Sequence, residues 1–131
     1  MIRYLSMEQV VSLHQRVIGH LTEIGVRDFR ALEVAVSRPA VTFETEDLYP
    51  TLDAKAAALL HALTTTAPFT DAVRETALLA AECFLVANGA TLHATDRDLE
   101  RLGAAIASGE MSVDALAIWI RQRMGRLRMA D

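Results

Sequence analysis

The chain has one cysteine, one lysine and no long apolar run, and each scarcity excludes something. Cys83 has no partner for an internal disulfide, so the fold rests on its core and suits a reducing compartment. It lies in the run ALLAAECFLVA, where a small buried hydrophobe is expected rather than a nucleophile, since a reactive thiol needs an exposed, electropositive setting. No segment approaches the roughly 18 apolar residues of a membrane span. The start MIRYLSMEQV lacks the continuous apolar stretch of a signal peptide. A cytoplasmic protein with no membrane partner is the expectation. Apart from Lys55 every basic side chain is arginine, and the net charge of −4 gives no general reason for nucleic acid to bind. The glycines are scattered and form no phosphate-cradling loop. His14 and His20 do not share a helix face, and no His, Cys, Asp or Glu group has the spacing of a metal site.

What is present reads as one globular domain, residues 1–131, with 52% hydrophobic and 23% charged residues. Helical signals dominate. Ser6 and Gln9 form a capping-box pattern ahead of Val10, Leu13, Val17 and Leu21, and Gly25 is read as the end of that helix. A shorter helix is predicted from about Asp28 to Val36, stopping before Pro39. In AVTFETEDLYP, Val41 and Phe43 alternate with Thr42 and Glu44, the spacing of a short extended flap with an exposed edge. Helices follow over Leu52 to Thr65 and Asp71 to Asn88. The second is apolar nearly all round between Thr76 and Ala87, which places it at the centre of a bundle, and Asn88-Gly89 closes it. Thr95 with Asp98 opens another helix to about Ala107, and Ser112 caps VDALAIWIRQRM. The fold class is all-α, a bundle around a buried central helix, with one short extended flap.

The order RYLSMEQVVSLHQRVI, GVRDFRALEVAVSRP, DLYPTLDAKAAALLHAL, a Pro-Phe loop, FLVANG and ASGEMSVDALAIWI resembles the Doc (death-on-curing) branch of the Fic proteins over nearly the whole chain. The resemblance implies a Fic/Doc-type bundle and places the family motif His-x-Phe-x-Asp-(Ala or Gly)-Asn-Lys-Arg on residues 67–75, APFTDAVRE. Phe69, Asp71 and Ala72 match. Ala67, Val73 and Glu75 stand where the family has histidine, asparagine and arginine, and Arg74 replaces the lysine. Several changes in one motif read as natural divergence, since a single alanine would have sufficed to disable it.

Fic enzymes transfer part of a nucleotide, commonly AMP, to a protein hydroxyl, and the Doc branch is known for phosphorylating elongation factor Tu. If that activity persists, the resemblance implies ATP and Mg²⁺ as cofactors, Asp71 as the metal ligand and Ala72, Val73 and Arg74 as the phosphate cradle at the helix start. The residues speak against it. Ala67 cannot take a proton, and losing a general base costs about 10²- to 10⁴-fold in rate. Val73 offers a phosphate no side-chain hydrogen bond. Glu75, if turned inward, repels an anion about 5 Å away by roughly 3 kcal/mol at an effective dielectric near 20. No catalytic residue is therefore assigned. Read without a ligand, Asp71 is a helix N-cap, Glu75 complements the helix dipole and Arg74 is a surface cation. His61 reads as a packing residue and His93 as an exposed turn residue.

Binding needs none of the lost groups. The resemblance gives the flap, Val41, Thr42, Phe43 and Glu44, the task of holding a target segment by strand addition; an irregular covering loop is the alternative. It also implies a groove for an antitoxin-like helix. Arg121, Arg123, Arg126 and Arg128 suit either the end of the last helix or an acidic partner, and Trp119 with Ile120 is expected to dock that helix. The reading is a pseudoenzyme that binds a protein partner in a toxin–antitoxin-like or regulatory setting; the alternative is an active, diverged phosphoryl or nucleotidyl transferase.

Overall fold

A computed structural model describes residues 1–19 and 25–127. Helix α1 spans Met7–Ile18 and starts with the full capping box: Ser6 Oγ accepts from the Gln9 amide at 3.1 Å, and the Ser6 amide donates to Gln9 Oε1 at 2.8 Å. It ends at Gly19, in the left-handed region at φ 80°, and not at Gly25 as the sequence suggested. Leu21 and His20 fall outside the described residues. Helix α2 (Phe29–Ser37) is capped by Asp28, whose Oδ1 accepts from the Ala31 amide at 3.0 Å. A single 3-10 turn, Arg38–Ala40, leads into the flap.

The flap is a two-residue-strand hairpin, β1 (Thr42–Phe43) antiparallel to β2 (Glu46–Asp47), with Phe43 opposite Glu46. Glu44 and Thr45 form its turn at φ 50° and 69°, which is the two-residue arrangement that matches strand twist. Helix α3 (Leu52–Thr66) follows from the Thr51 cap, and α4 is Val73–Ala87. Next come β3 (Ala90–Leu92), α5 (Asp96–Ala107), α6 (Val113–Arg123) and β4 (Met124–Arg126).

Helix α3 packs against α2, α4 and α6, and Ala56 to Leu60 are all at most 1% exposed. Its run of alanines lets the neighbouring helices approach closely. The central helix α4 adds Ala77, Ala80, Ala81, Phe84 and Leu85, while α1, α5 and α6 contribute Val10, Leu102, Ile106, Leu116 and Ile120. The terminal helix stops earlier than expected, because Met124–Arg126 leaves it to pair antiparallel with β3, Leu92 opposite Met124. That second small sheet was not legible in MGR. Gly89 at φ 83° closes α4 as read, and Asn88 does more than cap. Its side chain bonds the Arg3 amide at 2.8 Å and the Arg3 carbonyl at 2.9 Å, tying the start of the chain to the end of the central helix.

Candidate functional site

Residues 67–72 connect α3 to α4 through a loop held on several sides. Ala67, the C-cap of α3, and Ala72, which precedes α4, both take left-handed backbone, φ 46° and 51°. Each costs a non-glycine residue about 1–2 kcal/mol, so surrounding structure must enforce them. The segment before α2 does so. Pro68 O accepts from the Arg27 and Asp28 amides at 2.7 and 3.2 Å, the Thr70 amide donates to Gly25 O at 2.9 Å, and Val26 pairs with Phe69 as a β-bridge. The Arg27 guanidinium then closes the end of α3, donating from Nε to Ala67 O at 3.0 Å and from Nη2 to Thr66 O at 3.0 Å. A cation on the last carbonyls of a helix also complements its dipole.

His14 completes the loop's support from beneath. It is fully buried on α1, and its ring stacks on Phe69 at 4.2 Å between centroids and 7° between planes. Nε2 lies 3.0 Å from Asp71 Oδ1 and 3.2 Å from Asp71 O. The Asp71 backbone carbonyl can only accept, so Nε2 is the donor in this contact. Gly25 abuts the same ring: a Cβ there would come within 2.6 Å of His14 Cε1. This corrects the N-cap reading of Asp71. Helix α4 begins two residues later, at Val73, with no side-chain cap, and the Asp71 carboxylate is turned to His14 while remaining 60% exposed.

In the sequence, His14 is weighed only with His20 as a metal pair and Gly25 only as a helix end, and none of His14, Gly25 and Arg27 is given a part in this loop. The signal for His14 was present, because it lies on the apolar stripe Val10, Leu13, Val17 of α1. Arg27 and Gly25 act through backbone partners about forty residues away, which no local pattern shows.

The motif positions now separate by what they touch. Phe69 and Asp71 are held by His14, and Ala72 supplies the turn. Val73 packs half-buried against the core. Arg74 lays its aliphatic stem against Gly103 of α5, where a Cβ would stand 3.5 Å from Arg74 Cδ. Glu75 is exposed and borders the same α4–α5 groove of about 420 Å³, together with Glu82, Asp96 and Glu100. Both side chains thus lie along the groove. Burial, and then the neighbouring Asp96 charge, push the Glu82 carboxyl above its ordinary range. A carboxylate rim of this kind disfavours phosphate.

At the other end of α3, Thr42, Phe43 and Glu44 are exposed, Phe43 to 68%, and Val41 is half-buried and accepts the Leu48 amide at 2.9 Å. The hairpin is tethered rather than covered. Buried Lys55 on α3 donates to Asp47 Oδ2 at 3.1 Å and to Pro39 O at 3.2 Å, and Arg38 Nε donates to the Tyr49 hydroxyl at 3.0 Å. Burial alone would lower the Lys55 ammonium, but Tyr4 and Asp47 beside it more than offset this and hold it above its ordinary value.

The remaining candidates have local explanations. Burial lowers the His61 imidazole, and burial next to Glu82 raises the half-buried Cys83 thiol, which keeps it unreactive. His93 is exposed and lies 3.2 Å from Thr91 Oγ1. Arg123 stacks on Trp119 at 4.1 Å in the last turn of α6, whereas Arg126 belongs to β4 and Arg128 lies outside the described residues. Among the described residues no three His, Cys, Asp or Glu side chains gather as a metal site, and no helix is long and apolar enough to cross a membrane.

A helical bundle with a hairpin before α3 and a Pro-Phe loop feeding an uncapped helix start defines the class of fold. The model described as "Fic/DOC family" matches residues 4–85, and the chain belongs to that family. It is also similar to Toxin Doc of Mycolicibacterium smegmatis, at 38% identity over 120 residues, covering 89% of this chain and 90% of that protein.

Proposed function

We propose that this chain is a Doc-like pseudoenzyme that acts by binding a protein partner in a toxin–antitoxin-like or regulatory setting. One observation carries the reading. The side chains that differ from the family at Ala67, Val73 and Glu75 remove the base, a phosphate donor and a cation, while the matching Phe69 and Asp71 are engaged by His14. The carboxylates beside Arg74 support the same view, since they oppose the charge a phosphate would bring. The relative named Toxin Doc supports the setting. The exposed β1–β2 edge supplies the binding mode: backbone addition of a partner segment, with Phe43 as its apolar contact.

A diverged transferase is the second reading, favoured by the exposed Asp71 carboxylate next to an uncapped helix start. Its donor set is a single carboxylate, which fits Mg²⁺ only as an ion carried largely by the nucleotide's own phosphates and water. In that case Asp71 would hold the ion, which would neutralise phosphate charge, and His14 would orient Asp71.

Calorimetric titration with ATP, with and without Mg²⁺, tests the choice. The pseudoenzyme reading expects no magnesium-dependent heat up to about 1 mM nucleotide. Magnesium-dependent binding that Asp71→Ala abolishes, accompanied by transfer of label from ATP to protein, would establish the transferase instead.

A further inference from the structure

Helix α2 is buried on one side only. Leu32, Ala35 and Val36 face the core, while Phe29, Arg30, Glu33, Val34 and Ser37 on the opposite side are exposed. At about 100° per residue these side chains span roughly 140° of the helix, so they form one continuous stripe. Phe29 and Val34 are 53% and 55% exposed, on the face where a surface helix ordinarily carries polar groups. With Met7 of α1 the stripe borders a surface hollow of about 480 Å³. The ion pairs among the described residues are His14–Asp71 and Lys55–Asp47, and neither engages Arg30 or Glu33.

The stripe is symmetric in character. Read in either direction, FRALEV runs apolar, charged, two residues off the stripe, charged, apolar, and its two charges are opposite in sign. A second copy of α2, laid antiparallel across a two-fold axis between Ala31 and Leu32, meets the first in one register. Phe29 then falls against the partner's Val34 and Arg30 against the partner's Glu33, and the symmetry repeats both contacts. We infer that this face is a self-association surface whose occupant is a second copy of this chain. Charge complementarity names the occupant: a partner of one charge sign satisfies half of the stripe, whereas an inverted copy satisfies Arg30 and Glu33 together. A helix of nine residues with its flanks covers less than a standard interface, so the dimer is weak and forms at high concentration. The stripe begins right after Asp28, whose amide holds Pro68 O, so the copies meet beside the segment that fixes the motif loop. The inference rests on neither the flap nor the motif: a pseudoenzyme or an active transferase would carry the same face.

Sedimentation velocity of the full chain from about 5 to 500 µM is the test, with a dissociation constant expected on the order of 10–100 µM. In the inferred register Arg30→Glu sets carboxylates against each other and Glu33→Arg sets guanidinium groups against each other. Each should weaken self-association at least about tenfold. Arg30→Glu combined with Glu33→Arg should restore it, because both pairs re-form with their signs exchanged. The two single variants, mixed in equal amounts, should form a heterodimer tighter than either forms with itself, since one stripe is then wholly acidic and the other wholly basic. Val34→Asp should abolish association, while Arg97→Glu, the same charge change on an exposed residue of α5, should leave it as it is. Circular dichroism of every variant checks that it folds. A chain that stays monomeric to about 500 µM would overturn the inference and leave the face to a different protein. So would a dimer that the single reversals leave intact, which puts the contact elsewhere. Failure of both the double reversal and the mixture to restore association would also overturn it, by reducing the single effects to damage within α2. None of these outcomes bears on the ATP titration, on which the proposed function turns.

Discussion

Two segments flank α3, and they are held in opposite ways. The loop after it, residues 67–72, is tied by Pro68 and Thr70 to residues 25–28, by Phe69 and Asp71 to His14, and by Arg27 to the helix end. The hairpin before it is exposed from Thr42 to Leu48 and anchored at its base by Lys55 and Arg38. The loop carries the family's catalytic motif, yet what fixes it is packing and backbone hydrogen bonding. Phe69, Asp71 and Ala72, which match the family, are held by contacts of the fold. Among the positions that differ, Ala67 is the left-handed end of α3 closed by Arg27 and Val73 packs on the core, whereas the Glu75 side chain is exposed.

The sharpest way to break that contrast is to remove the support beneath the loop. His14→Ala leaves a cavity against Phe69 and strips Asp71 of its partner, and is expected to destabilise the whole chain by about 3 kcal/mol in denaturant unfolding. Gly25→Ala should act on the same unit, since its Cβ would clash with the His14 ring and its φ of 72° disfavours alanine. If both variants kept wild-type stability, the loop would not depend on His14.

Lys55→Met tests the other segment. Asp47 is 46% exposed and can be rehydrated, so the global cost should be only about 1–2 kcal/mol, while proteolysis within residues 42–48 should accelerate several-fold. The sign with pH is defined: because Lys55 is held above its ordinary value when folded, its contribution is complete below that ordinary value and is lost as pH climbs through the raised one. Alkaline melts of the wild type should show this loss, and those of Lys55→Met should not. A smaller effect still is expected from restoring the motif. Ala67→His, Val73→Asn and Glu75→Arg together should change stability by less than about 1 kcal/mol by thermal melting, since exposed or half-buried positions without specific bonds seldom cost more. A larger loss would show that the fold has come to rely on the replacements.

The helices were legible because their caps are local: Ser6 with Gln9, Thr95 with Asp98 and Ser112 each place their partner three residues on. The ends were less so. Gly25 looked like a helix stop, but its left-handed backbone and missing side chain make room for His14, and the helix had already ended at Gly19. Asp71 looked like an N-cap because aspartate before a helix usually is one. Its actual partner lies 57 residues away, a distance no spacing rule covers. The β3–β4 pairing escaped for the same reason, since MGR has no strand pattern until Leu92 stands opposite Met124. The motif's identity could be read residue by residue; the placement of Arg74 and Glu75 along the α5 groove needed the packing of Gly103.

The smallest expected effect lies in that groove, at the end away from the held loop. Glu82 is half-buried near Asp96, and its carboxyl is raised by burial first and by Asp96 second. A carboxyl raised in the folded state binds its proton more tightly there than in the unfolded chain, so stability falls as pH rises from the ordinary glutamate value through the raised one. Glu82→Gln removes that loss. It should gain a few tenths of a kcal/mol at neutral pH by chemical denaturation, and the gain should vanish below the ordinary glutamate range, where both chains carry an uncharged side chain. Asp96→Asn should recover part of the same gain through Glu82. The fold thus tolerates a carboxylate in a place that slightly destabilises it, on the same helix whose start follows a loop held with several bonds. If Glu82→Gln instead proved destabilising at neutral pH, the carboxylate would be serving the fold after all, and the contrast between the tightly held loop and this groove would fail.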